Sequence, residues 1–375
     1  MMLMKSMSTQ WLGKGLLFLG VLCLGATSVM ADEVEDFFIQ HNQKRYFDFP
    51  LDARSLALGG SNIATSNDLS SVFGNPAGLG WIDSCGLSAT YSRDEISGDE
   101  YLQAPGFGNF SSVEEEFDVG TVRLALPIRA GGTLGLGWYG WDSEVDDSHN
   151  TDSERKVFQA GYGARLNDCL SIGYSFSYFD DEMDTACCGD YEMDDGYRHT
   201  FGLQMRPNSC MAVGLSGFFA SGDPDSRMAI LGPQSADRDS WGLELGYSWQ
   251  VFERTLFTTS VDYTDYELDA NIVNQQVRVN QNVDEGGESW GFHAGVEQRC
   301  CNWLVARAGY HYRDNEYDFN DAGPMASLSE SADYHAVSTG LGFDIHKNLR
   351  LDYGVQYRFI GDDDITNTVT ATFHF

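Results

Sequence analysis

From Gly86 to Phe375 the chain repeats one pattern, runs of roughly ten residues in which apolar and polar side chains alternate one for one. A period of two is the period of a β-strand, so each run dictates a strand with two chemically different faces. In Leu170 to Tyr178, the residues Leu170, Ile172, Tyr174, Phe176 and Tyr178 share one face; Ser171, Gly173, Ser175 and Ser177 share the other. Trp241 to Trp249 repeats the arrangement, and Leu349 to Phe359 is its longest instance. A soluble sandwich would bury the apolar face as its core. Here those faces end in Trp and Tyr, as the two interfaces of a bilayer demand, while the opposing faces are rich in Gly and Ser, which suits a partly filled lumen.

Counting the runs gives about fourteen strands, near 86–93, 117–126, 132–141, 156–166, 169–179, 197–206, 210–220, 240–250, 254–266, 288–298, 302–312, 334–346, 348–359 and 366–375. Lipid cannot satisfy an open sheet edge. The expected fold is therefore all-β, a closed antiparallel transmembrane β-barrel with both ends on one side. Short connections near Arg129, Asn167-Asp168, Pro207-Asn208, Phe252-Glu253, Cys300-Cys301 and Lys347-Asn348 mark periplasmic turns. The acidic stretches Asp94–Glu116, Asp142–Glu154, Asp180–Asp195 and Asp362–Asp364, with 221–239, 267–287 and 313–333, read as the longer outer loops. The last run sets Val369, Ala371, Phe373 and Phe375 on one face. A terminal Phe on such a strand is the feature that the barrel-assembly machinery is thought to read, so that machinery, outer-membrane lipid and lipopolysaccharide are expected partners.

The first residues read differently. Lys5 and Lys14 precede the apolar run Gly15–Leu24, and Val29-Met30-Ala31 follows it, the order of a secretory signal peptide over 1–31. No later apolar run approaches 18 residues, and the mean hydropathy is −0.31, so membrane-spanning helices are excluded. A formal charge of −33 argues against nucleic acid as a partner. Beyond Ala31 stand Cys85, Cys169, Cys187, Cys188, Cys210, Cys300 and Cys301, with no CxxC and no zinc-ligand spacing. They read as disulfides or inert thiols near turns, and neither a metal nor a cofactor is expected.

Residues 32–82 do not alternate and form a separate element before the 83–375 barrel. Within it stand Asp52-Ala53-Arg54-Ser55-Leu56-Ala57-Leu58-Gly59-Gly60 and, later, Asn67-Asp68-Leu69-Ser70 and Phe73-Gly74-Asn75-Pro76-Ala77-Gly78-Leu79. Taken together, the order resembles the N-terminal hatch of the FadL/TodX family of outer-membrane channels for hydrophobic compounds. The resemblance implies a barrel plugged by 32–82, with Asn75, Pro76, Ala77 and Gly78 at the hatch motif. It also implies passive uptake of hydrophobic small molecules, such as long-chain fatty acids or other lipids, captured outside and released sideways through the wall. Outer loops without an obvious helical capture pair, and the start Leu51-Asp52-Ala53-Arg54, equally resemble the PorV-like branch. Its members act as scaffolds or carriers with secretion-system proteins.

Several residues stand out as candidate sites. Gly131, Gly132, Gly135, Gly137 and Gly140 crowd the third strand, which suits either a lateral gate or room for a plug. Arg123, Arg165, Glu244, Asp262, His293, Glu297, Arg307, His311, Asp344, Arg350, Asp352 and Arg358 fall on lumen faces. Of these, Arg123, His293, Arg307 and His311 are candidate lumen contacts. Asp344 is expected opposite Arg350 if the turn centres on Lys347. His311 is expected about three residues higher than His293, apart from it. No GxSxG or SxxK motif is present, and an enzyme is not expected. Met228-Ala229-Ile230-Leu231 reads as an apolar loop for a ligand or for packing on the rim. Asp180-Asp181-Glu182 and Asp190 to Asp195 read as solvated acidic loops or divalent-cation bridges to lipopolysaccharide.

Overall fold

The computed structural model describes residues 51–98, 113–128, 131–146, 151–185, 189–222, 225–228, 232–274, 279–321, 328–359 and 364–375. The signal-peptide region and 32–50 lie outside the described residues. The strands are β1 (Gly86–Gly98), β2 (Val113–Ile128), β3 (Gly132–Asp146), β4 (Thr151–Asn167), β5 (Leu170–Thr185), β6 (Gly189–Asn208), β7 (Met211–Gly222), β8 (Asp225–Met228) and β9 (Gly232–Phe252). They continue as β10 (Thr255–Asn274), β11 (Val279–Arg299), β12 (Leu304–Asp321), β13 (Leu328–His346), β14 (Leu349–Arg358) and β15 (Asp364–His374). Each long strand pairs antiparallel with its neighbours in sequence, and β1 pairs with β15, Gly86 opposite His374. The sheet is therefore a closed barrel of fourteen strands. The short β8 lies in the connection from β7 to β9 and pairs with both β6 and β9.

The faces follow the sequence alternation. Ile172, Tyr174, Phe176 and Tyr178 are exposed on the outside of β5, while Ser171, Ser175 and Ser177 are buried inside. Trp241, Leu243, Leu245, Tyr247 and Trp249 form the same outward stripe on β9, and Val369, Phe373 and Phe375 on and beyond β15. An apolar surface turned outward all round the wall is stable only in lipid, so the molecule is an outer-membrane, multi-pass β-barrel.

The strands begin and end at the turn side where the alternation places them, but they run much farther the other way. β9 and β11 are 21 residues each, about 70 Å of chain against an apolar belt about 25 Å tall. Much of what reads as acidic outer loop is thus strand: β3 reaches Asp146 and β4 starts at Thr151. The backbone ladder continues beyond the membrane because it needs only paired N–H and C=O groups, whereas the side-chain alternation there has nothing apolar to face. Met228 ends β8; residues 229–231 lie outside the described residues, as do the side chains of Asp190 to Asp195. Cys85, Cys169, Cys210, Cys300 and Cys301 are free thiols on the turn-side rim, and Cys187 and Cys188 lie outside the described residues.

Residues 51–82 run inside the barrel as a short helix α1 (Ala53–Ala57) and two 3-10 turns, η1 (Leu69–Val72) and η2 (Pro76–Trp81). Helix α1 packs on β12 to β15 and η2 on β3 to β6, so the segment crosses the lumen from one wall to the other. The wall is built to receive it. Gly163, Gly173 and Gly202 abut Pro76 and Asn75; Gly214 and Gly246 abut Ile63; Gly295, Gly309, Gly340 and Gly354 abut Leu58, Gly59, Ala57 and Ala53. A methyl group at any of them would overlap the segment. The small residues of the polar faces therefore mark a level of the barrel at which a second layer of backbone lies against the first.

Candidate functional site

The lumenal segment is locally determined and then pinned. Asp52 caps α1, its Oδ1 accepting from Ser55 N at 2.8 Å. Asp68 caps η1 by accepting from Ser70 N at 2.9 Å. Asn75 caps η2 by accepting from Ala77 N at 3.0 Å, with Pro76 at the first position, where no N–H is needed. Asn75 is fully buried, and its Nδ2 also donates to Ile63 O and Leu203 O, both at 3.2 Å. The Asn-Pro-Ala step therefore ties the segment to itself and to β6. Ala77 O accepts from Ser171 Oγ at 2.6 Å on β5. Gly78 packs against Ser66 and Ser71, too close for a side chain. On the opposite wall, Gly59 and Gly60 adopt φ of 65° and 84°, left-handed values that favour glycine, and Gly59 O meets His293 Nδ1 at 2.7 Å.

Charged side chains complete the attachment. Arg54 donates to Glu297 at 3.1 Å and to Asp68 at 2.9 Å. From Glu297 a chain of ion pairs runs along the wall through Arg307 (2.8 Å), Asp352 (2.8 Å), Arg350 (2.8 Å), Asp344 (3.3 Å) and Arg299 (2.9 Å). Asp344 and Arg350 are register partners, as the turn at Lys347 requires. Arg123, also fully buried, reaches Asp52 at 3.5 Å and donates to Thr90 and Thr121. Burial opposes ionisation of Asp68, yet Arg54 and the Ser70 hydrogen bonds hold its carboxyl below the ordinary value. For Asp52 burial prevails over the pull of Arg123, and the carboxyl is pushed up.

His293 and His311 do not lie apart. They are direct register partners, and their rings stack at 4.2 Å. The reason is the connection between β11 and β12, which occupies residues 300–303 rather than two residues, so the pairing shifts along the strand. His293 uses its second nitrogen on Asp262 (3.2 Å), and Asp262 also binds Arg313 (2.6 Å). Arg165 donates to Gly80 O and to Asp83.

The third-strand glycines divide by face. A Cβ on Gly135 would meet Leu79, and one on Gly137 would meet Phe73 and Val72, so both make room for the lumenal segment. Gly140 faces outward under the Trp138 ring. The β3 ladders to β2 and β4 run through without a bulge, and the wall is closed there.

Among the described residues, a cavity lies on each side of the segment. The one toward the short turns, about 550 Å³, is lined by Arg54, Asp68, Arg123, Arg206, Glu297 and Arg350. The other, about 290 Å³, lies toward the long hairpins. One side of it is an aromatic arc of Phe73, Tyr139, Phe179 and Phe218; the other holds Glu244, Asp262, His293 and His311. Phe73 and Tyr139 meet edge to face at 5.2 Å. Above the arc, Phe117, Val119 and Trp141 form a buried inward-facing cluster. Sequence alternation missed this arc because it breaks the rule of polar residues inside. Its signal is a doubled aromatic in an alternating strand: Trp138-Tyr139, Tyr178-Phe179 and Phe218-Phe219, each with one ring in lipid and one in the lumen.

No family model matches the chain, and no curated protein does. Solved structures do match. The CymD monoaromatic hydrocarbon channel aligns at a TM-score of 0.59 and 15% identity, over 88% of this chain and 99% of that one. A Pseudomonas aeruginosa FadL homologue aligns at 0.63 and 14%, over 86% and 98%. The Ralstonia pickettii toluene transporter TbuX aligns at 0.59 and 13%, over 88% and 100%. The chain shares the fold of these FadL/TodX-type barrels.

Proposed function

We propose that this barrel, which has the FadL/TodX-type fold, is a passive channel for small hydrophobic compounds, with residues 51–82 as its hatch. The observation that carries the reading is the aromatic arc inside the lumen, directly outside the segment that closes it. Apolar side chains facing a lumen are costly beside water and have a use where an apolar solute displaces that water. A solute entering from the long-hairpin end would rest on Phe73, Tyr139, Phe179 and Phe218 and meet the hatch next. The continuous β3 ladder makes displacement of the hatch, rather than a standing gap in β3, the step that lets the solute leave. The fold likeness to channels for toluene and monoaromatic hydrocarbons supports the same class of cargo.

The test is uptake of radiolabelled apolar compounds by cells with and without the protein, including an aromatic hydrocarbon and a long-chain fatty acid. Faster uptake of at least one class is expected, with a reduction when Phe179 and Phe218 are both replaced by serine. Equal uptake for every class would refute the channel reading.

A further inference from the structure

We infer that the solute held by the aromatic arc carries a carboxylate, and that Arg198 binds it; the inference rests on the channel reading above and narrows its cargo to compact aromatic acids. Arg198 projects from β6 into the outer cavity, where its guanidinium lies 3.7 Å from the centre of the Phe218 ring. Its Nε is buried without a hydrogen-bond partner, and among the described residues no carboxylate lies within ion-pair distance of it. The other two arginines of this cavity are provided for. Arg155 binds Asp181 through two nitrogens, and Arg313 binds Asp262.

The acid of this cavity that acts on Arg198 is Glu244, which is also held by Ser260 and His293. Register separates the two: Arg198 lies opposite Ala220 of β7, while Glu244 lies opposite Ser216. Four residues along one strand is about 13 Å of backbone offset, which leaves Glu244 a longer-range influence on Arg198 and not an ion-pair partner. A guanidinium stacked on an aromatic ring keeps its N–H edge free, and that edge matches a carboxylate in two parallel hydrogen bonds. Arg198 is half-buried, with its Nε buried and no anion in contact, so an anionic ligand gains by supplying the missing charge.

The rest of the ligand follows from the walls. Phe73, Tyr139 and Phe179 present ring faces and edges that suit a planar aromatic body. A volume of about 290 Å³ sits at the small end of ligand cavities, which run from about 300 to 1,000 Å³. A ring with a short acidic arm fits this description; a long alkyl chain would extend beyond the cavity.

The test uses the full-length protein in lipid nanodiscs and calorimetric titration with cinnamate, methyl cinnamate, toluene and palmitate. Cinnamate is expected to bind about 10- to 100-fold more tightly than its methyl ester. Arg198→Met is expected to bring that ratio close to one, and Arg198→Lys to retain part of it. The ratio reports the charge contact, since a misfolded variant would lose acid and ester alike; heat-modifiable migration on gels checks the fold separately. Equal binding of acid and ester by the native protein, or a ratio that survives Arg198→Met, overturns the inference and leaves the channel reading standing. Palmitate bound in preference to cinnamate also overturns it. No binding of any of the four overturns both.

Discussion

At the scale of the residue, the two capping carboxylates of the lumenal segment respond to acid in opposite directions. Asp68 has its folded value below the unfolded one, about 3.9, with Arg54 the largest favourable influence. A depressed carboxyl contributes stability that is complete above the unfolded value and lost as pH falls through the folded one. Docking of η1 should therefore weaken below about pH 4. Asp52, raised by burial, acts in the opposite sense, so Asp52→Asn, which keeps a capping side chain, isolates Asp68. In that variant, the protection of Leu69–Val72 against hydrogen exchange, taken relative to the free peptide at the same pH, should fall on acidification, and adding Asp68→Asn should make it low and independent of pH. These individual roles were only partly legible beforehand. The Asp344–Arg350 pair followed from the turn at Lys347. The His293–His311 stack did not, because the length of a turn decides register and the cysteine pair concealed two further turn residues.

Elements were legible where lipid enforces a pattern and illegible where it does not. Period-two alternation located the turn-side ends of the strands and the faces of β5, β9 and β14, since one face had to be apolar. Past the belt both faces meet water, and the ladder runs on without a sequence signature. Within the belt, the Gly-Ser faces indicated a lumen filled with small side chains. Their cause is closer: a second backbone lies against them. Gly202 makes this testable, because any side chain there collides with Asn75 and Ala77. Gly202→Val should leave strand β6 intact, valine being well suited to a strand, yet displace η2. Planar-bilayer recordings should then show a higher and noisier conductance than the native protein. An unchanged closed level would mean that the wall, and not the segment, limits the pore.

For the whole molecule, barrel and segment divide their tasks. The wall satisfies its own backbone through a closed ring of ladders, which the segment does not interrupt. Removing residues 51–82 should accordingly leave a heat-modifiable, membrane-inserted barrel with a large, steady ion conductance. Failure of that shortened chain to insert would show that the segment is needed to build the wall. The charge of −33 belongs to this scale too. Inside the lumen acids alternate with arginines along the chain from Arg54 to Arg299, whereas Glu95, Glu116 and Asp142 are exposed on the outer surface.

The seam adds a matter of timing. The segment leads straight into β1, and the free edge of β1 is met by β15, the final strand of the chain. The interior can be filled sideways only before those two edges meet; afterwards the segment has to enter along the axis, through an end of the barrel. Since the glycine level has almost no affinity for itself, an empty cylinder would be left with a poorly packed waist. The union of β1 and β15 thus ends sideways entry, and a chain slow to dock residues 51–82 has to thread them in through an end of the barrel.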